Sequence, residues 1–400
     1  MASQSAEPQL SFTEEDWARV ERDTMAWWAG ELERPLVWLV GRDPAAGTVD
    51  RQEPRHRYLS NYPLDMPAEV IVGEYEAVFS AARFYGDAFP AWWVNFGPGI
   101  MAGFLGALVH SVQDPQETVW FTPPDVGPAD GNPAVPGDQS RAVPESGIPI
   151  EQLVLAYDRN NVWWRRVQDV TRAMIARWDG RLAVGMTDLG GNLDILASFR
   201  GTEGLLYDVM DAPEAVERRA AEVTALWLRY YDELDAIIRP SCRGTTCWSP
   251  IWSRGKTYML QCDFSYMISP AMFERFVLPD LVACCEHLDH GFYHLDGKGE
   301  IPHLDMLLSI ERLRGIQWIP GDGQPPPEAW LQLLKRIRDG GKLCQVFVTA
   351  EGARTIVRNL GGKGFLLAIN EDGAAFADPE QAQAFLGVLA EEDISRGARD

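Results

Sequence analysis

The feature that most constrains the fold is a repeated alternation of short apolar segments with longer amphipathic ones. Eight apolar segments are bounded by Gly, Pro or polar residues, which is typical of buried strands. They span residues 35–40, 91–95, 182–186, 246–250, 291–295, 315–319, 343–348 and 364–368. Continuous apolar strands that alternate with helices predict a parallel sheet covered on both faces.

Helices are predicted between these strands, and each is amphipathic. They span residues 67–84, 157–178, 212–238, 270–288, 327–338, 352–360 and 379–389. A further helix at 11–33 precedes the first strand, and Thr13 with Asp16 forms a plausible cap. About eight strands that alternate with helical segments fit a closed (β/α)8 barrel, the TIM barrel, better than an open sheet. We therefore predict an N-terminal helical extension, 1–34, followed by a barrel, 35–400.

Two segments are predicted to cover the mouth of this barrel, residues 122–149 and residues 241–267. The first is rich in Pro and Gly and forms an irregular excursion, after which the alternation resumes. After the second, Ser269 and Pro270 open the next helix as N-cap and first helical residue.

Charge and composition exclude several classes of function. The formal net charge is −22, whereas nucleic-acid binding needs clustered Lys and Arg. No apolar run of 18 residues exists that would predict a membrane span, and residues 1–8 have no secretory-signal pattern. The six cysteines show no C-x-x-C spacing, as expected for reduced thiols. We expect a cytoplasmic protein with a small-molecule substrate.

The candidate site residues follow the predicted strands, because barrels keep their chemistry at the C-terminal ends of the strands. His294 and Asp296 are two residues apart and so project to the same side. Taken alone, this pair is also explained as a loop His and a capping Asp. The other candidates at strand ends or between strands are Arg42, Trp93, Asn95, Asp188, Trp248, Trp252, Cys262, Asp263, Trp318 and Glu371.

Two chemistries can be built from these residues. In the first, His294 and Asp296 bind zinc or another divalent metal with Cys262 or Glu371 as further ligands. In the second, an aspartate acts as a general acid while Arg42 anchors a substrate carboxylate. The aspartates available for that role are Asp188, Asp263 and Asp296. Spacing alone does not decide which side chains meet.

Tryptophans are unusually numerous, with 15 in the chain. On alternating strand positions one of Trp92 and Trp93 faces the barrel axis while its neighbour faces the helices. The inward member, with Trp248 or Trp252 and with Trp318, would then form apolar walls around the site and bind substrate. The alternative is that these tryptophans only fill space in the core.

Several segments together resemble the uroporphyrinogen decarboxylase superfamily, which includes cobalamin-linked methyltransferases. The segments are 34–42, 190–201, 206–214, 268–274 with 278–279, and 294–297, and the resemblance covers roughly residues 30–390. It implies the same barrel. It also implies a function as either a decarboxylase or a zinc-dependent methyltransferase served by a corrinoid protein.

The chain departs from both activities of that superfamily. True decarboxylases hold propionates with two arginines, and here Arg42 supplies only the second. Asn95 stands near the position of their catalytic aspartate, so decarboxylation of porphyrinogen is not expected. The methyltransferases bind zinc through H-x-C and a later Cys, where this chain has His294, Asp296 and Glu371. A harder set of nitrogen and oxygen ligands is therefore predicted.

Three functions follow in order of preference. The first is metal-assisted one-carbon (methyl) transfer, with a corrinoid protein as a candidate partner. The second is a metal-independent decarboxylase or lyase that acts on a non-porphyrin carboxylic acid. The third is a non-catalytic barrel that binds a small ligand. A homodimer is also considered.

Overall fold

The computed structural model describes residues 9–43, 54–110, 112, 118–124, 147–370, 376 and 378–397. Its strands are β1 (Leu36–Arg42), β2 (Ala82–Gly86), β3 (Ala91–Trp93), β4 (Leu108–His110), β5 (Trp120–Thr122), β6 (Ala183–Gly185), β7 (Thr245–Thr246), β8 (Trp252–Ser253), β9 (Thr257–Leu260), β10 (His290–Asp296), β11 (Leu313–Ile319), β12 (Leu343–Val348) and β13 (Phe365–Ile369). Its helices are α1 (Glu14–Trp28), α2 (Ala68–Gly73), α3 (Glu76–Ala81), α4 (Met101–Phe104), α5 (Val162–Trp178), α6 (Asn192–Arg200), α7 (Thr202–Asp211), α8 (Pro213–Ile238), α9 (Pro270–Phe276), α10 (Leu278–His287), α11 (Leu304–Ser309), α12 (Leu331–Asp339), α13 (Ala350–Leu360) and α14 (Pro379–Gly397).

A large parallel sheet with helices between its strands confirms the predicted mixed α/β class. Seven strands pair in the order β2-β1-β13-β12-β11-β10-β9, and all neighbours are parallel except β2 and β1. A four-stranded sheet has the order β3-β6-β7-β8, and β4 pairs with β5 as a separate ribbon. In the described part of the chain these are distinct hydrogen-bonded sheets.

The parallel strands are apolar along their length because both of their faces are covered. β6 and β9 are buried at every position, and β13 is buried at four of its five positions. Such strands lack the alternation of a half-exposed sheet. Within the parallel strands, the polar residues His294, Gln317 and Gln345 lie on one face, where they contact one another.

The N-terminal helix α1 begins as the sequence predicts and packs beneath the sheets. The Thr13 hydroxyl accepts from the backbone of Asp16, and the Asp16 carboxylate accepts from the backbone of Thr13. This reciprocal pairing is a capping box. At the other end of the helix, the indole N–H of Trp28 donates to the carbonyl of Trp252 at 2.8 Å. The extension is thus fastened to the hairpin of β7 and β8.

Two predicted elements are wrong in detail. The helix expected over 67–84 is two short helices, and residues 82–86 form β2, which pairs antiparallel with β1. The single strand expected at 246–250 is the β7–β8 hairpin. In both places hydrogen bonding to a neighbouring strand outweighs the local pattern.

The predicted covering segments have different outcomes. Residues 257–260 within the segment 241–267 form β9, which pairs with β10 inside the large sheet. This part is therefore a core strand and not a cover. Most of the segment 122–149 lies outside the described residues.

The helix predicted over 270–288 begins as expected, with the Ser269 hydroxyl accepting from the Met272 backbone. It is interrupted at Val277, which separates α9 from α10. Pro279 explains the interruption, because it has no N–H to donate to the Arg275 carbonyl of a continuous helix.

Among the described residues, no helix combines the length and the apolar character needed to cross a membrane.

Candidate functional site

His294 and Asp296 lie at the C-terminal end of β10, inside the large sheet. Their side chains project to the same face, because they are two residues apart on the strand. The Nε2 atom of His294 lies 3.9 Å from Oδ2 of Asp296, and the two side chains are 13% and 39% exposed. The imidazole is therefore the more buried group of the pair and the carboxylate the more exposed one.

Asp263 brings a third ligand group to this pair. It opens a short 3₁₀ turn after β9, the strand that pairs with β10. One ligand atom from each of Asp263, His294 and Asp296 lies within 4.8 Å of the other two. Ligands on opposite sides of a divalent cation are about 4.2 Å apart, since metal–oxygen and metal–nitrogen bonds are about 2.1 Å long. These three residues, the Asp263–His294–Asp296 cluster, would therefore hold one cation after their side chains move together by several tenths of an ångström.

Negative charge is crowded at Asp263. Burial and then the nearby carboxylates of Asp296 and Asp188 raise the pKa of Asp263 to about 7. Asp263 is nevertheless an exposed residue, so water and ions reach it from the surface. A cation bound here would favour the ionised carboxylate and relieve the repulsion.

A buried amide fixes the orientation of the His294 ring. The Nδ1 atom of His294 contacts the side-chain carbonyl oxygen of Gln317, which only accepts hydrogen bonds, so Nδ1 is the donor. The Gln317 amide nitrogen donates to Gln345 and to the Ser249 hydroxyl, which sets the same orientation. With a proton on Nδ1, it is Nε2 that faces the two carboxylates and that would supply a lone pair to a metal ion.

Asp188 follows β6 and is the buried acid of the site. Its Oδ1 atom accepts from the backbone N–H of Gly190 at 2.8 Å and of Gly99 at 3.2 Å. Burial raises the pKa of Asp188 to about 6, although these two bonds and the charge of His294 lower it. A carboxyl group with this pKa exchanges a proton near neutral pH, as a general acid or base requires.

Asp194 was not recognised from the sequence, although it belongs to the quoted segment 190–201. Its carboxylate accepts from the backbone N–H of Asp263 at 3.1 Å and of Phe264 at 2.8 Å. Burial, and then the charge of Asp263, raises the pKa of Asp194 to about 7. Its place in the first turn of α6 is the signal that was available. Asp194 therefore holds the turn that presents Asp263.

Glu300 was also missed, because it follows a Gly-rich loop and looks like a surface residue in the sequence. It is fully buried, and its Oε2 atom accepts from the Tyr293 hydroxyl at 3.2 Å and from the Asp296 backbone at 3.4 Å. Burial, and then the charge of Asp263, raises the pKa of Glu300 well above its usual range. Glu300 therefore stabilises the C-terminal end of β10 through hydrogen bonds to Tyr293 and Asp296.

Cys262 does not belong to the cluster, although the sequence analysis named it as a metal ligand. Its side chain is fully buried, and burial, followed by the charges of Asp194 and Glu300, raises the pKa of its thiol well above the usual range. A thiol held neutral in this way is a poor metal ligand. The neighbouring residue Asp263 takes the position expected for it. Glu371 lies outside the described residues.

Two tryptophans, Trp248 and Trp93, lie on the same side of the sheets as the cluster. The Trp248 ring meets the His294 ring edge-on, with ring centroids 5.0 Å apart. Trp92 contacts Tyr75 on the helix side at 5.1 Å, so strand alternation turns the half-buried Trp93 to the inner side. Trp248 is therefore the aromatic wall in direct contact with the cluster.

Trp318 and Trp252 are placed elsewhere. Trp318 is fully buried and packs edge-on against Trp330 at 5.1 Å, on the face of β11 opposite to Gln317. Trp252 packs with Trp17 in a separate hydrophobic cluster against α1. Neither is a wall of the site, because strand alternation and the β7–β8 hairpin direct both away from His294.

Arg42 ends β1 on the same face of the large sheet as His294. Residues paired in register across parallel strands share a face, and these pairs run from Leu36 on β1 through Leu366, Gln345 and Gln317 to His294. Arg42 is six residues beyond Leu36, an even number, so it lies on this same face. It is half-buried and makes no ion pair within the described residues.

Asn95, another candidate substrate-binding residue, stabilises a loop, since its side-chain oxygen accepts from the Gly97 backbone at 3.1 Å.

Comparison with known proteins found no matching family model and no matching curated protein.

Proposed function

We propose that this protein is a metal-dependent enzyme that acts on a small organic substrate. The observation that carries this proposal is the convergence of Asp263, His294 and Asp296 within 4.8 Å. One nitrogen and two carboxylate ligands suit a divalent cation such as zinc, manganese or iron, and leave coordination positions open for substrate.

The proposed scaffold is a closed (β/α)8 barrel in which the short strands β7 and β9 share the fourth position. The two sheets are connected by side chains in support of this arrangement. The Tyr258 hydroxyl of β9 accepts from the backbone of Leu189, just after β6, at 2.7 Å. The Ser249 hydroxyl, between β7 and β8, donates to Gln345 of β12 at 3.2 Å. Contacts across the interior are expected when the sheets surround one axis.

Metal-assisted one-carbon transfer is the reaction we place first. A divalent cation would act as a Lewis acid or would lower the pKa of a bound nucleophile. The residues of this chain would orient the substrate against Trp248 and exchange a proton at Asp188. Support comes from the resemblance around 190–201 and 294–297, and a corrinoid protein is the corresponding methyl donor.

A decarboxylase or lyase is the second candidate, and Asp188 is the observation that favours it. Loss of CO2 leaves an electron pair on carbon, which a neutral carboxyl group protonates. Since burial raises the pKa of Asp188 to about 6, part of the population carries this proton at neutral pH. Arg42 would hold a carboxylate of the substrate.

Metal analysis of purified protein tests the class of enzyme. We expect one divalent ion per chain, with at least ten-fold weaker cobalt binding in His294→Ala and Asp263→Asn. Asp305→Asn is the matched control, because Asp305 is an exposed aspartate paired with Arg336. Failure of the wild-type protein to bind zinc, manganese, iron or cobalt would overturn the proposal.

Two assays then separate the candidate reactions. Release of CO2 from a panel of carboxylic acids, abolished in Asp188→Asn, supports the lyase. Methylation of a thiol by methylcobalamin or by a methylated corrinoid protein supports one-carbon transfer. Metal-loaded protein that is inert in both assays but binds a small ligand would show a non-catalytic barrel.

A further inference from the structure

A cavity lies beside α1, away from the Asp263–His294–Asp296 cluster. Its volume is about 350 Å³, and α1, the segment after α8, and the β7–β8 hairpin contribute to its lining. This volume is at the lower end of the range for small-molecule pockets. The cavity can therefore hold a compact metabolite rather than a large cofactor.

The cavity lies at the opposite end of the strands from the candidate active site. Two of its lining residues, Trp17 and Trp252, pack against Phe89, which precedes β3, and Ala183, which opens β6. These are the N-terminal ends of parallel strands, whereas Asp188 follows the C-terminal end of β6. A ligand here would not reach the cluster, so this inference does not depend on the proposed function.

Three arginines from different segments line the cavity. Arg239 follows α8, Arg243 precedes β7, and Arg254 follows β8. Their side chains are 47%, 37% and 64% exposed. Three guanidinium groups around one cavity stand out in a chain whose net charge is −22. Glu21 is the other charged residue of the lining, so the lining side chains carry three positive charges and one negative charge.

Each arginine has an acidic partner but retains free donors. Arg254 uses Nε for Glu21, and neither of its terminal NH2 groups has a hydrogen-bond partner in the described structure. Arg239 contacts Asp235 through one terminal nitrogen at 2.7 Å, and Arg243 contacts the exposed Glu14 through one. A guanidinium carries five N–H donors, so most remain available to a ligand.

Aromatic rings form the rigid floor of the cavity. The Arg243 guanidinium carbon lies 5.6 Å from the centre of the Trp17 ring, as in a cation–π pair. Gly244 has φ +125°, and a Cβ atom there would lie 2.8 Å from the Trp252 ring. The backbone carrying Arg243 is thereby held flat against Trp252. A fixed floor means that the arginines need little reorganisation to bind a ligand.

We propose that this cavity binds a small dianion of the phosphate-monoester class. Arginine donates paired N–H groups to phosphate oxygens, and three arginines match the charge and the three terminal oxygens of such a group. The tryptophan floor accommodates the organic part of the ester. The ligand would fasten α1 to the β7–β8 hairpin.

Isothermal titration calorimetry with inorganic phosphate and with phenyl phosphate tests this site. We expect saturable binding, tighter for phenyl phosphate, that weakens at least ten-fold in the double variant Arg239→Gln/Arg254→Gln. Both side chains are exposed enough for the variant to fold, which its circular dichroism spectrum checks. Arg336→Gln, which removes a comparable surface arginine, is the control and should bind as the wild type does.

A metal ion at the other end of the strands also attracts phosphate, so the titration is repeated with chelator-treated His294→Ala protein. Unchanged binding there assigns the phosphate to the arginine cavity. Binding that disappears in His294→Ala but persists in the double arginine variant would overturn the proposal. The absence of saturable binding at millimolar phenyl phosphate would overturn it as well.

Discussion

The imidazole Nδ1 of His294 donates its proton to the side-chain carbonyl of Gln317, and the two residues are register partners on β10 and β11. This contact turns Nε2 towards Asp296, 3.9 Å from its Oδ2 atom, as the nitrogen available to a metal ion. Partners of this kind hold a metal-binding histidine in one tautomer and one orientation. The buried strand β11 thus determines how the exposed end of β10 presents its ligand.

Replacement of Gln317 by leucine is expected to weaken cobalt binding about 10–100-fold, because His294 loses the acceptor that orients it. The visible spectrum of the cobalt-loaded protein should also change, since the ring can rotate. Gln345→Leu is the control, as it disturbs the same buried network without contacting His294. Equal losses of affinity in the two variants would show that Gln317 acts only through packing.

Trp248 and Trp318 are expected to report differently on metal binding. Trp248 contacts the His294 ring, whereas Trp318 packs against Trp330 on the opposite face of β11. Cobalt quenches nearby indole fluorescence, so Trp248→Phe should remove a large part of the quenching during a titration. Trp318→Phe should leave the quenched amount as in the wild type. The reverse result would contradict the placement of Trp248 at the site.

The sequence predicted the site residues at strand ends better than the buried residues, Asp194 and Glu300, whose hydrogen bonds position them. His294 and Asp296 could be paired because two positions on one strand always share a face. Asp263 and Cys262 could not be assigned correctly, because they lie in a turn where no periodicity fixes side-chain direction. The sequence analysis names Cys262 as a possible ligand beside Glu371 and names Asp263 as an acid, but Cys262 is buried and Asp263 joins the cluster.

Tertiary contacts also explain the errors in the fold and in the aromatic walls. The antiparallel strand β2 and the hairpin of β7 and β8 exist because neighbouring strands supply hydrogen bonds that no local pattern reveals. Trp252 lies on that hairpin and packs against Trp17 of α1, at the end of the strands opposite to the cluster. Asp194 and Glu300 serve by accepting backbone hydrogen bonds from other segments, and the sequence does not show which donors lie nearby.

Asp188→Asn is expected to stabilise the metal-free protein above pH 6 and to abolish turnover. The folded-state pKa of Asp188, about 6, exceeds its ordinary value of 3.8. Protonation therefore favours the folded state, and this contribution is fully present below about pH 4 and is lost as the pH rises through 6. An asparagine stays neutral, so we expect a gain of about 1–3 kcal/mol at pH 8 and little change at pH 4. Urea unfolding with chelator at both pH values measures it.

Asp280→Asn is the matched variant for Asp188→Asn. Asp280 is also a buried aspartate whose pKa is raised to about 6 by burial, but it lies in α10 beside Thr224. It should show a similar pH dependence of stability while retaining activity. Loss of turnover in both variants would mean that Asp188 has a structural role rather than an acid–base role.

Gly190→Ala is expected to destabilise the protein more than Gly30→Ala, although both glycines have a positive φ, +75° and +72°. A Cβ atom at Gly190 would lie 2.8 Å from the Gly99 Cα atom, whereas one at Gly30 would have nothing within 4 Å. Gly30→Ala therefore measures the backbone strain alone, about 1 kcal/mol. Gly190→Ala adds a backbone clash and moves the two N–H groups that bind Asp188, so we expect a loss of at least ~2 kcal/mol.

Urea unfolding of the two glycine variants measures this difference, and the pH profile of activity adds a second readout. Gly190→Ala should also weaken the hydrogen bonds from the N–H groups of Gly99 and Gly190, which stabilise the charged form of Asp188 and lower its pKa. The apparent pKa in the activity profile should therefore rise. Equal stabilities of the two variants would show that the turn at Gly190 yields to the added methyl group, and that its close approach to Gly99 is not required by the fold.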